Sequence, residues 1–504
     1  MVAIAYSVAF EGIEARLVEV QCAVAAGLPG FSIVGLPDKA VSEAKERVRA
    51  AFGALAIALP NRRLTVNLSP ADLPKEGSHF DLPIALAVLA ALDLVPRDEV
   101  ARCVALGELA LDGRLVPVAG ALPAAVAAAE EDRALICPEA CGPEAAWIEA
   151  VPVLAAGTLR AVVDHLTDRR PLSPARPGLP EAPAPVACLS AVKGQERAKR
   201  ALEIAAAGRH HLLMVGPPGA GKTLLARRLH GLLPPLTARE ALETSIVHSV
   251  AGQLKDGRIL RQAPFQDPHH GASPPSIVGG GPRARPGQIS LAHNGVLFLD
   301  ELPEFQPRVL EALRQPIESG EVFVTRTAAQ MRYPCRFLLV AAANPCRCGH
   351  LADPAGACAR APACGASYLG RISGPMLDRF DLRLEVAGVP IADEPGAATG
   401  ETSATVAARV ARARDIQAAR FADHPEARVN ADASGALLEE IAAPDAEGRA
   451  LIAAAADRLG LTMRGYHRVL RTARTIADLA GSDRVLADHL REALSYRLPF
   501  VAGG

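Results

Sequence analysis

The sequence predicts an α/β protein of several domains, in which a parallel sheet carries a phosphate-binding loop and helices form the end of the chain. A short apolar run at residues 211–215 is followed at 216–223 by the spacing G-x-x-x-x-G-K-T. A second apolar run of strand length, at 296–299, leads directly into two carboxylates, Asp300 and Glu301. The last fifth of the chain has helical periodicity almost throughout.

The glycine-rich run is predicted to bind the phosphates of ATP. Glycines let backbone N–H groups turn toward phosphate oxygens, and the helix beginning near Lys222 adds the positive end of its dipole. We expect Lys222 to reach the β and γ phosphates and the Thr223 hydroxyl to ligate Mg²⁺. An accidental glycine-rich turn is disfavoured by the buried strand before the run and the acidic motif downstream. The predicted nucleotide-binding residues are Gly216, Pro217, Pro218, Gly219, Ala220, Gly221, Lys222, Thr223 and Asp300.

Polar residues follow two further predicted strands and complete a hydrolytic site. The strand at 296–299 would deliver its acids to the carboxyl edge of the sheet, where open α/β sheets bind ligands. There, Asp300 would hold Mg²⁺ through water and Glu301 would polarise the attacking water. A buried strand at 337–343 ends at Asn344, whose side chain can orient that water against the γ phosphate.

Composition limits the classes of protein to consider. A chain of 504 residues is too long for one ordinary core, and 50% hydrophobic with 22% charged residues describes a soluble globular protein. Aromatic residues make up only 4%, so phosphate contacts should dominate if DNA is bound. The N-terminus carries Glu11 and Glu14 and does not resemble a signal peptide, and no apolar stretch is long enough to span a bilayer. We therefore expect a cytoplasmic protein with largely reduced cysteines.

The pattern divides the chain into four parts. Residues 1–168 combine strand-like alternation, at 13–24 and 64–68, with a helix at 38–52, and predict an α/β domain. Residues 169–187 are dense in proline and predict a semi-extended linker. A nucleotide-binding core at 188–398 and a helical region at 399–504 follow.

Residues 245–295 are rich in glycine and proline and predict loops with a hairpin that projects from the sheet, not a core segment. The adjacent His269 and His270 lack partners at metal-ligand spacing, which favours an ordinary loop over a metal site. Residues 321–333 predict two short strands around a turn. This hairpin would reach a central pore if the protein forms a ring, or lie solvated on the surface.

A cluster of thiols follows Asn344. A structural Zn²⁺ site and free thiols on a loop are the two alternatives, and the irregular spacing leaves both open. The cysteines concerned are Cys346, Cys348, Cys358 and Cys364.

Two arginines are further candidates. Arg379 stands between two acids just before a strand, where it could stabilise phosphate charge in a neighbouring subunit or pair with Asp378 or Asp381. Arg464 belongs to a basic helical stripe at 464–480. Such stripes are usually solvated, but near the helix start Arg464 could touch the γ phosphate from a lid.

Residues 74–92 and 113–129 resemble the proteolytic domain of Lon-type proteases. The register places His79 at the nucleophile position, with Ser78 one residue early, and Leu122 where the catalytic lysine would stand. Without a base beside the hydroxyl a serine is not activated. We therefore expect the fold without peptidase chemistry.

The motifs GPPGAGKT, VLFLDELPEF, AAANPCRCG, SGPMLDRFDL and MRGYHRVLRTARTIADL occur in this order. With them, the chain resembles the magnesium-chelatase-like AAA+ ATPases of the ComM/YifB family over nearly its full length. The resemblance implies an AAA+ P-loop core with a C-terminal helical lid after the Lon-like domain. It also implies ATP and Mg²⁺ as cofactors, a hexameric ring of identical subunits and DNA as partner, with branch migration during natural transformation.

The same resemblance implies individual roles. Lys222 and Thr223 would form the Walker A motif, Asp300 and Glu301 Walker B, Asn344 sensor 1, Arg379 the trans-acting finger and Arg464 sensor 2. The family usually has proline between the first two cysteines of the cluster, where this chain has Arg347. One alternative function is a chelatase-like motor subunit that acts on a protein partner. Another is an ATP-dependent protease, which His79 and Leu122 disfavour.

Overall fold

The computed structural model describes residues 2–182, 186–281, 284–325, 330–349, 351, 360–388, 400–459 and 461–497. Two large sheets and three two-stranded ones, with their helices, occupy the first four fifths of the chain, and helices alone form the described part of its end. This mixed α/β architecture with a parallel sheet and a helical C-terminal region confirms the predicted fold class.

The N-terminal part alternates strands and helices. Its strands are β1 (Val2–Glu11), β2 (Glu14–Ala25), β3 (Gly30–Val34), β4 (Arg63–Ser69), β5 (Cys103–Ala105), β6 (Glu108–Leu109), β7 (Leu115–Val116), β8 (Ala134–Pro138) and β9 (Val153–Ala156). Its helices are α1 (Lys39–Ala54), α2 (Asp81–Ala91), α3 (Arg97–Ala101), α4 (Ala121–Glu130), α5 (Gly142–Ala145) and α6 (Leu159–Leu166).

The main N-terminal sheet has the strand order β3-β4-β2-β1-β5-β8-β9. The helix predicted at 38–52 is α1, which begins where the Asp38 carboxylate accepts a 2.7 Å hydrogen bond from Val41 N. The helix α2 is buried along almost its whole length and forms the centre of this core. Residues 2–11, for which the sequence analysis predicted no strand, form β1, which pairs with β2 over its full length.

The central part contains a second, entirely parallel sheet. Its elements are α7 (Glu196–Gly208), β10 (Leu212–Val215), α8 (Lys222–Leu229), α9 (Ala238–Val250), β11 (Phe265–Gln266), α10 (Pro274–Val278), β12 (Gly279–Gly280), β13 (Arg285–Pro286), α11 (Gln288–Leu291), β14 (Val296–Leu299), α12 (Pro307–Ser319), β15 (Glu321–Thr325), β16 (Gln330–Pro334), β17 (Leu338–Ala343), α13 (Ala363–Leu369), α14 (Gly374–Leu377) and β18 (Leu382–Glu385). The strand order is β11-β14-β17-β10-β18, with parallel pairing throughout. The strands predicted before the phosphate loop, the two acids and Asn344 are therefore direct neighbours.

The prediction of a projecting, non-core segment at 245–295 is wrong in part. The strand β11 joins the parallel sheet beside β14, and Ile277 and Ile289 are fully buried. The strand has only two residues, and glycine and proline surround it, so its local pattern was that of a loop. Pairing with β14, a tertiary contact, makes it part of the sheet.

The hairpin β15–β16 packs against the turn between β1 and β2 in the N-terminal part. The N–H of Gly12, in the β1–β2 turn, lies 3.0 Å from Met331 Sδ, and a Cβ at Gly12 would lie 2.2 Å from Arg332 O. Tyr333 donates a 2.8 Å hydrogen bond to Ala284 O. The described part of the hairpin is thus not a solvated surface loop, and residues 326–329 lie outside the described residues.

The predicted linker also makes regular contacts. Ala175 N donates to Val153 O at 2.7 Å, and Glu181 N donates to Ile259 O at 3.0 Å. This proline-rich stretch therefore follows the N-terminal sheet and then reaches the central part.

The C-terminal part is helical, as predicted, with α15 (Ser403–Arg420), α16 (Gly435–Ile441), α17 (Ala446–Leu459), α18 (Met463–Leu479) and α19 (Ala487–Ser495). The basic stripe on α18 is not simply solvated. Arg474 is 2% exposed, and Asp478 accepts from both Arg474 and Arg420, at 3.1 and 2.6 Å. Within the described residues, no helix combines the length and apolarity needed to cross a membrane.

Candidate nucleotide-binding site

The loop between β10 and α8 has the backbone of a phosphate cradle. Gly219 and Gly221 have φ angles of 76° and 85°, a region that glycine adopts without steric cost. No heavy atom lies within 4 Å of a Cβ built at either position, so the space in front of the loop is open. The loop therefore has room to accept phosphate oxygens against the N-terminus of α8.

Lys222 is held in place by neutral oxygens. Its Nζ lies 2.7 Å from Gly216 O, 2.9 Å from Pro217 O and 3.0 Å from Asn344 Oδ1. Burial lowers the pKa of Lys222, while Asp300 and Glu301 raise it. The ammonium is thus partly desolvated beside an open loop, and anionic phosphate oxygens would be stronger partners than these carbonyls.

An oxygen pair suited to Mg²⁺ lies beside the lysine. Thr223 Oγ1 donates a 2.7 Å hydrogen bond to Asp300 Oδ2. A hydroxyl and a carboxylate in contact are the oxygen ligands that Mg²⁺ takes from proteins when most of its shell is water and phosphate. The residues present therefore fit the predicted ion.

Glu301 follows Asp300 in a left-handed conformation with φ 53°, and its N–H bonds to Asp300 Oδ1 at 2.9 Å. Its side chain is half exposed, and Glu301 Oε2 lies 3.4 Å from His270 Nδ1. The His270 ring also lies 6.5 Å from that of Phe305 in an edge-on contact. Sequence reasoning missed this neighbour of Glu301. Predicting β11 as a strand beside β14 would have placed His270 near Glu301, because the two residues follow neighbouring strands.

Arg379 lies elsewhere, just before β18 at the amino edge of the same sheet. It is 5% exposed, and its guanidinium contacts Glu318 Oε1 at 2.9 Å and Arg314 O at 3.0 Å. The expected alternative partners are wrong. Asp378 instead contacts Arg383 at 3.4 Å, and Asp381 contacts Arg468 at 2.6 Å.

Arg464 also lies at the amino edge. It lines a cavity with His211 and Phe337, which precede β10 and β17, whereas Lys222 follows β10 at the other edge. The length of β10 alone separates these edges by about 13 Å. The structure thus contradicts contact between Arg464 and the phosphate loop of its own chain, because α18 packs on α7, α15 and α19 with its first turn at the amino edge.

The cysteine cluster is not supported as a zinc site. Cys346 and Cys348 place their sulfurs 3.1 Å apart, and Cys364 lies on α13. Cys358 lies outside the described residues. Among the residues that the structure describes, no group of three or more histidine, cysteine or acidic side chains could hold a metal ion.

The Lon-like region contains no lysine at the predicted dyad position. The Ser78 hydroxyl donates to the Glu108 carboxylate, and Leu122 is 1% exposed. His79 is buried, with Nε2 2.9 Å from Val8 O, and burial lowers its pKa.

Comparisons with known proteins cover nearly the whole chain. The families described as "Magnesium chelatase, subunit ChlI", "Subunit ChlI of Mg-chelatase" and "Magnesium chelatase, subunit ChlI C-terminal" match residues 188–393, 18–141 and 400–497. The chain is 44% identical to "Competence protein ComM" of Haemophilus influenzae over 501 residues, which covers 98% of this chain and 97% of the relative.

Two other relatives extend the comparison. The Escherichia coli protein YifB is 43% identical over 491 residues, covering 96% of this chain and 95% of YifB. The magnesium-chelatase 38 kDa subunit of Rhodobacter capsulatus is 28% identical over 344 residues, covering 62% of this chain and 88% of the subunit. Because similarity to the first two relatives runs along almost the entire sequence, the chain belongs to the ComM/YifB family of magnesium-chelatase-like AAA+ proteins.

Proposed function

We propose that the chain is an ATP-hydrolysing, ring-forming motor that acts on DNA in the cytoplasm, driving branch migration during recombination of imported DNA. The ATPase part rests on one observation. Three adjacent strands of a parallel sheet bring Lys222, the Thr223–Asp300 pair and Asn344 together at the open phosphate loop.

Hydrolysis would proceed at the carboxyl edge of the sheet. The backbone N–H groups of the loop and Lys222 bind the phosphates, which replace the carbonyl partners of the lysine. Thr223 and Asp300 would hold Mg²⁺, which would supply positive charge against the phosphate oxygens when bound. Glu301 accepts a proton from the attacking water, and the amide of Asn344 orients that water.

The position of two arginines supports a ring of identical subunits. Arg379 and Arg464 lie at the opposite edge from their own phosphate loop. Burial lowers the pKa of Arg379, its partner Glu318 raises it, and the nearby Arg314, Arg468 and Arg464 lower it. A neighbour's nucleotide at this basic edge would offset the crowded positive charge, so both arginines act in trans, and a hexamer is the expected ring.

Sequence similarity to a known relative supports DNA as the substrate. The relative from Haemophilus influenzae is named a competence protein, and the resemblance to that family implies a DNA motor. In the Lon-like region, the partner of Ser78 is a carboxylate and Leu122 is apolar, which argues against a protease.

A second candidate is a chelatase-like motor that remodels a protein partner. It is favoured by the magnesium-chelatase family matches and by the relative from Rhodobacter capsulatus. Such a motor would hydrolyse ATP without responding to DNA and would co-purify with its partner.

ATP turnover should be measured with no DNA, single-stranded DNA, duplex DNA and a branched junction, at several salt concentrations. We expect single-stranded or branched DNA to raise turnover, and we expect DNA binding to weaken as salt increases, because phosphate contacts release counterions. Turnover that no DNA form changes, without retention of DNA at low salt, would remove the DNA role and leave the ATPase intact.

A further inference from the structure

A cleft lies between the N-terminal part and the central part of the chain. Its volume is about 340 Å³, within the usual range for ligand pockets, and residues 216–223 of the phosphate loop do not line it. The N-terminal part contributes the turn between β1 and β2, the start of α1 and residues 73–79 and 117–119. The central part contributes Val250, Arg285, Met331 and Tyr333. A molecule bound in the cleft would therefore contact both parts.

Two adjacent residues in the cleft, Ser78 and His79, have already used their hydrogen-bond donors. The His79 side chain is 6% exposed, and its Nε2 lies 2.9 Å from Val8 O, which can only accept. Nε2 therefore carries the proton, and Nδ1 is an acceptor. The Ser78 hydroxyl donates to the Glu108 carboxylate, which leaves the oxygen lone pairs of Ser78. Both side chains can thus accept a hydrogen bond from a ligand but cannot donate one.

Gly77 keeps the acceptor nitrogen of His79 accessible. Its φ angle is 98°, and a Cβ built at this position would lie 3.1 Å from His79 Nδ1. Among the described residues, the ring has no hydrogen-bond partner besides Val8 O. Burial lowers the pKa of His79, although Val8 and Asp38 oppose this, so the ring is neutral near pH 7. The cleft therefore contains a buried, neutral nitrogen acceptor that no described side chain satisfies.

Asp38 adds a carboxylate beside these acceptors. Its oxygens accept from Val41 N at 2.7 Å and from Gly77 N at 3.3 Å, and within the described residues no cation pairs with it. Glu11, in contrast, contacts Arg16 at 2.5 Å. Acids outnumber cations among the described residues that line the cleft: Glu11, Asp38 and Glu76 against Arg285. The cleft therefore presents negative charge together with hydrogen-bond acceptors.

The remaining walls are apolar and partly aromatic. The ring of Phe10 lies 5.4 Å from that of His79, and Met331 and Tyr333 of β16 are 9% and 3% exposed. Val118 and Val250 complete the apolar lining. An aliphatic chain can bury methylene groups against these side chains, and a cation is attracted to an aromatic face.

We propose that this cleft binds an aliphatic primary ammonium group, either that of a free polyamine or that of a lysine side chain. An ammonium has three N–H donors and no acceptor, which matches His79 Nδ1, Ser78 Oγ and the Asp38 carboxylate. The alkyl chain packs on the apolar walls. Binding requires neither nucleotide nor DNA.

Binding should be measured by calorimetry on the full chain at near-physiological salt, which screens weak attraction to surface acids. Spermidine, putrescine and Nα-acetyl-lysine amide are titrated separately, and the uncharged diol with the chain length of putrescine serves as the ligand control. We expect one saturable site per chain for at least one amine and no binding of the diol. The relative affinities of the polyamines and the lysine derivative identify the source of the ammonium.

Asp38→Asn should weaken amine binding at least about tenfold, because it removes the carboxylate charge. Asparagine is also a favourable N-cap, so α1 keeps an acceptor for Val41 N. Asp98→Asn is the matched control, since Asp98 is exposed in the first turn of α3 and lies outside the cleft. Its binding should be unchanged.

Arg285→Gln tests the sign of the charge effect. Arg285 is exposed, so the substitution spares the core, and removal of the cation should tighten amine binding several-fold. Weaker amine binding in this variant would overturn the proposal. So would saturable binding of succinate that Arg285→Gln abolishes, because the cleft would then be an anion site.

Absence of saturable binding for all three amines, or equal binding by Asp38→Asn and the unmodified chain, would also overturn the proposal. Thermal melting followed by circular dichroism checks that each variant is folded. These titrations contain no nucleotide, so their failure would leave the proposed ATP hydrolysis intact, and loss of ATP turnover would leave amine binding intact.

Discussion

The two edges of the parallel sheet differ in how their polar residues are assembled. At the carboxyl edge, Asp300 and Asn344 follow directly after strands, Lys222 ends the loop that follows β10, and the three meet because those strands are adjacent in the sheet. At the amino edge, Arg336 precedes a strand and Arg471 lies on α18, so the cavity that they line forms only when distant segments pack together. The first arrangement can be recognised from local motifs and the second cannot.

The edges also differ in charge. At the carboxyl edge, the acids Asp300 and Glu301 accompany one lysine. At the amino edge, arginines outnumber acids around the cavity. In a ring, the nucleotide bound at one subunit's carboxyl edge would face the basic edge of the next, and the following predictions test the separate contribution of each edge.

The largest effect is expected from the amino edge. Arg379→Ala should lower kcat about 10³-fold or more in assembled rings, because an arginine finger stabilises charge in the transition state. Steady-state ATPase assays alongside analytical ultracentrifugation would check this.

The control is Glu318→Gln, which removes the ion-pair partner of Arg379 while its own side chain is 47% exposed. Its turnover should equal that of the unmodified chain or exceed it. Full activity of Arg379→Ala in intact rings would show that the edges do not cooperate between subunits.

At the carboxyl edge, Glu301→Gln should lower kcat about 10²-fold or more while ATP affinity stays within a few-fold, because the amide cannot accept the proton of water. Calorimetry with ATP and a hydrolysis assay separate binding from chemistry. Equal losses of affinity and turnover would assign Glu301 to nucleotide binding instead.

A smaller effect is expected at His270, whose Nδ1 lies 3.4 Å from Glu301 Oε2. Without this contact the carboxylate is less well oriented, so His270→Ala should lower kcat about tenfold with little change in KM. His270→Gln retains a hydrogen-bond donor and should recover part of the loss. If both variants match the unmodified chain across pH 6 to 8, the contact has no role in turnover.

The smallest effect concerns stability at the amino edge. Burial, reinforced by Arg468 and Arg209, lowers the pKa of His211 to about 3 from the ordinary value of 6.5, although Asp381 opposes this. Because the pKa of His211 is lower in the folded than in the unfolded chain, this histidine costs the folded state nothing above about pH 6.5. Below that pH the unfolded chain binds a proton that the folded chain does not, so the free energy of unfolding decreases as pH falls. The slope reaches about 1.4 kcal/mol per pH unit.

His211→Asn keeps an acceptor for Leu339 N, which bonds to His211 Nδ1 at 3.1 Å. Urea unfolding between pH 4.5 and 6.5 should therefore show a shallower loss of the free energy of unfolding in the variant. Parallel curves for the two proteins would mean that His211 is protonated without penalty.

By itself, the sequence determined the phosphate loop, the two acids and Asn344, because each is a local pattern of strand followed by polar residue. It also determined the helices of the C-terminal part, since their apolar periodicity exceeds several turns. Family membership followed from the order of these motifs.

Only the tertiary structure decided which edge each arginine occupies and whether a short segment joins the sheet. The strand β11 is two residues long, so its identity depends on pairing with β14, and His270 reaches Glu301 for the same reason. Arg464 lies on a helix, as the sequence predicts, but the direction in which that helix packs against α7 and α15 is set by long-range burial. Such contacts leave no periodic signal in the chain, because the residues that make them are far apart in sequence.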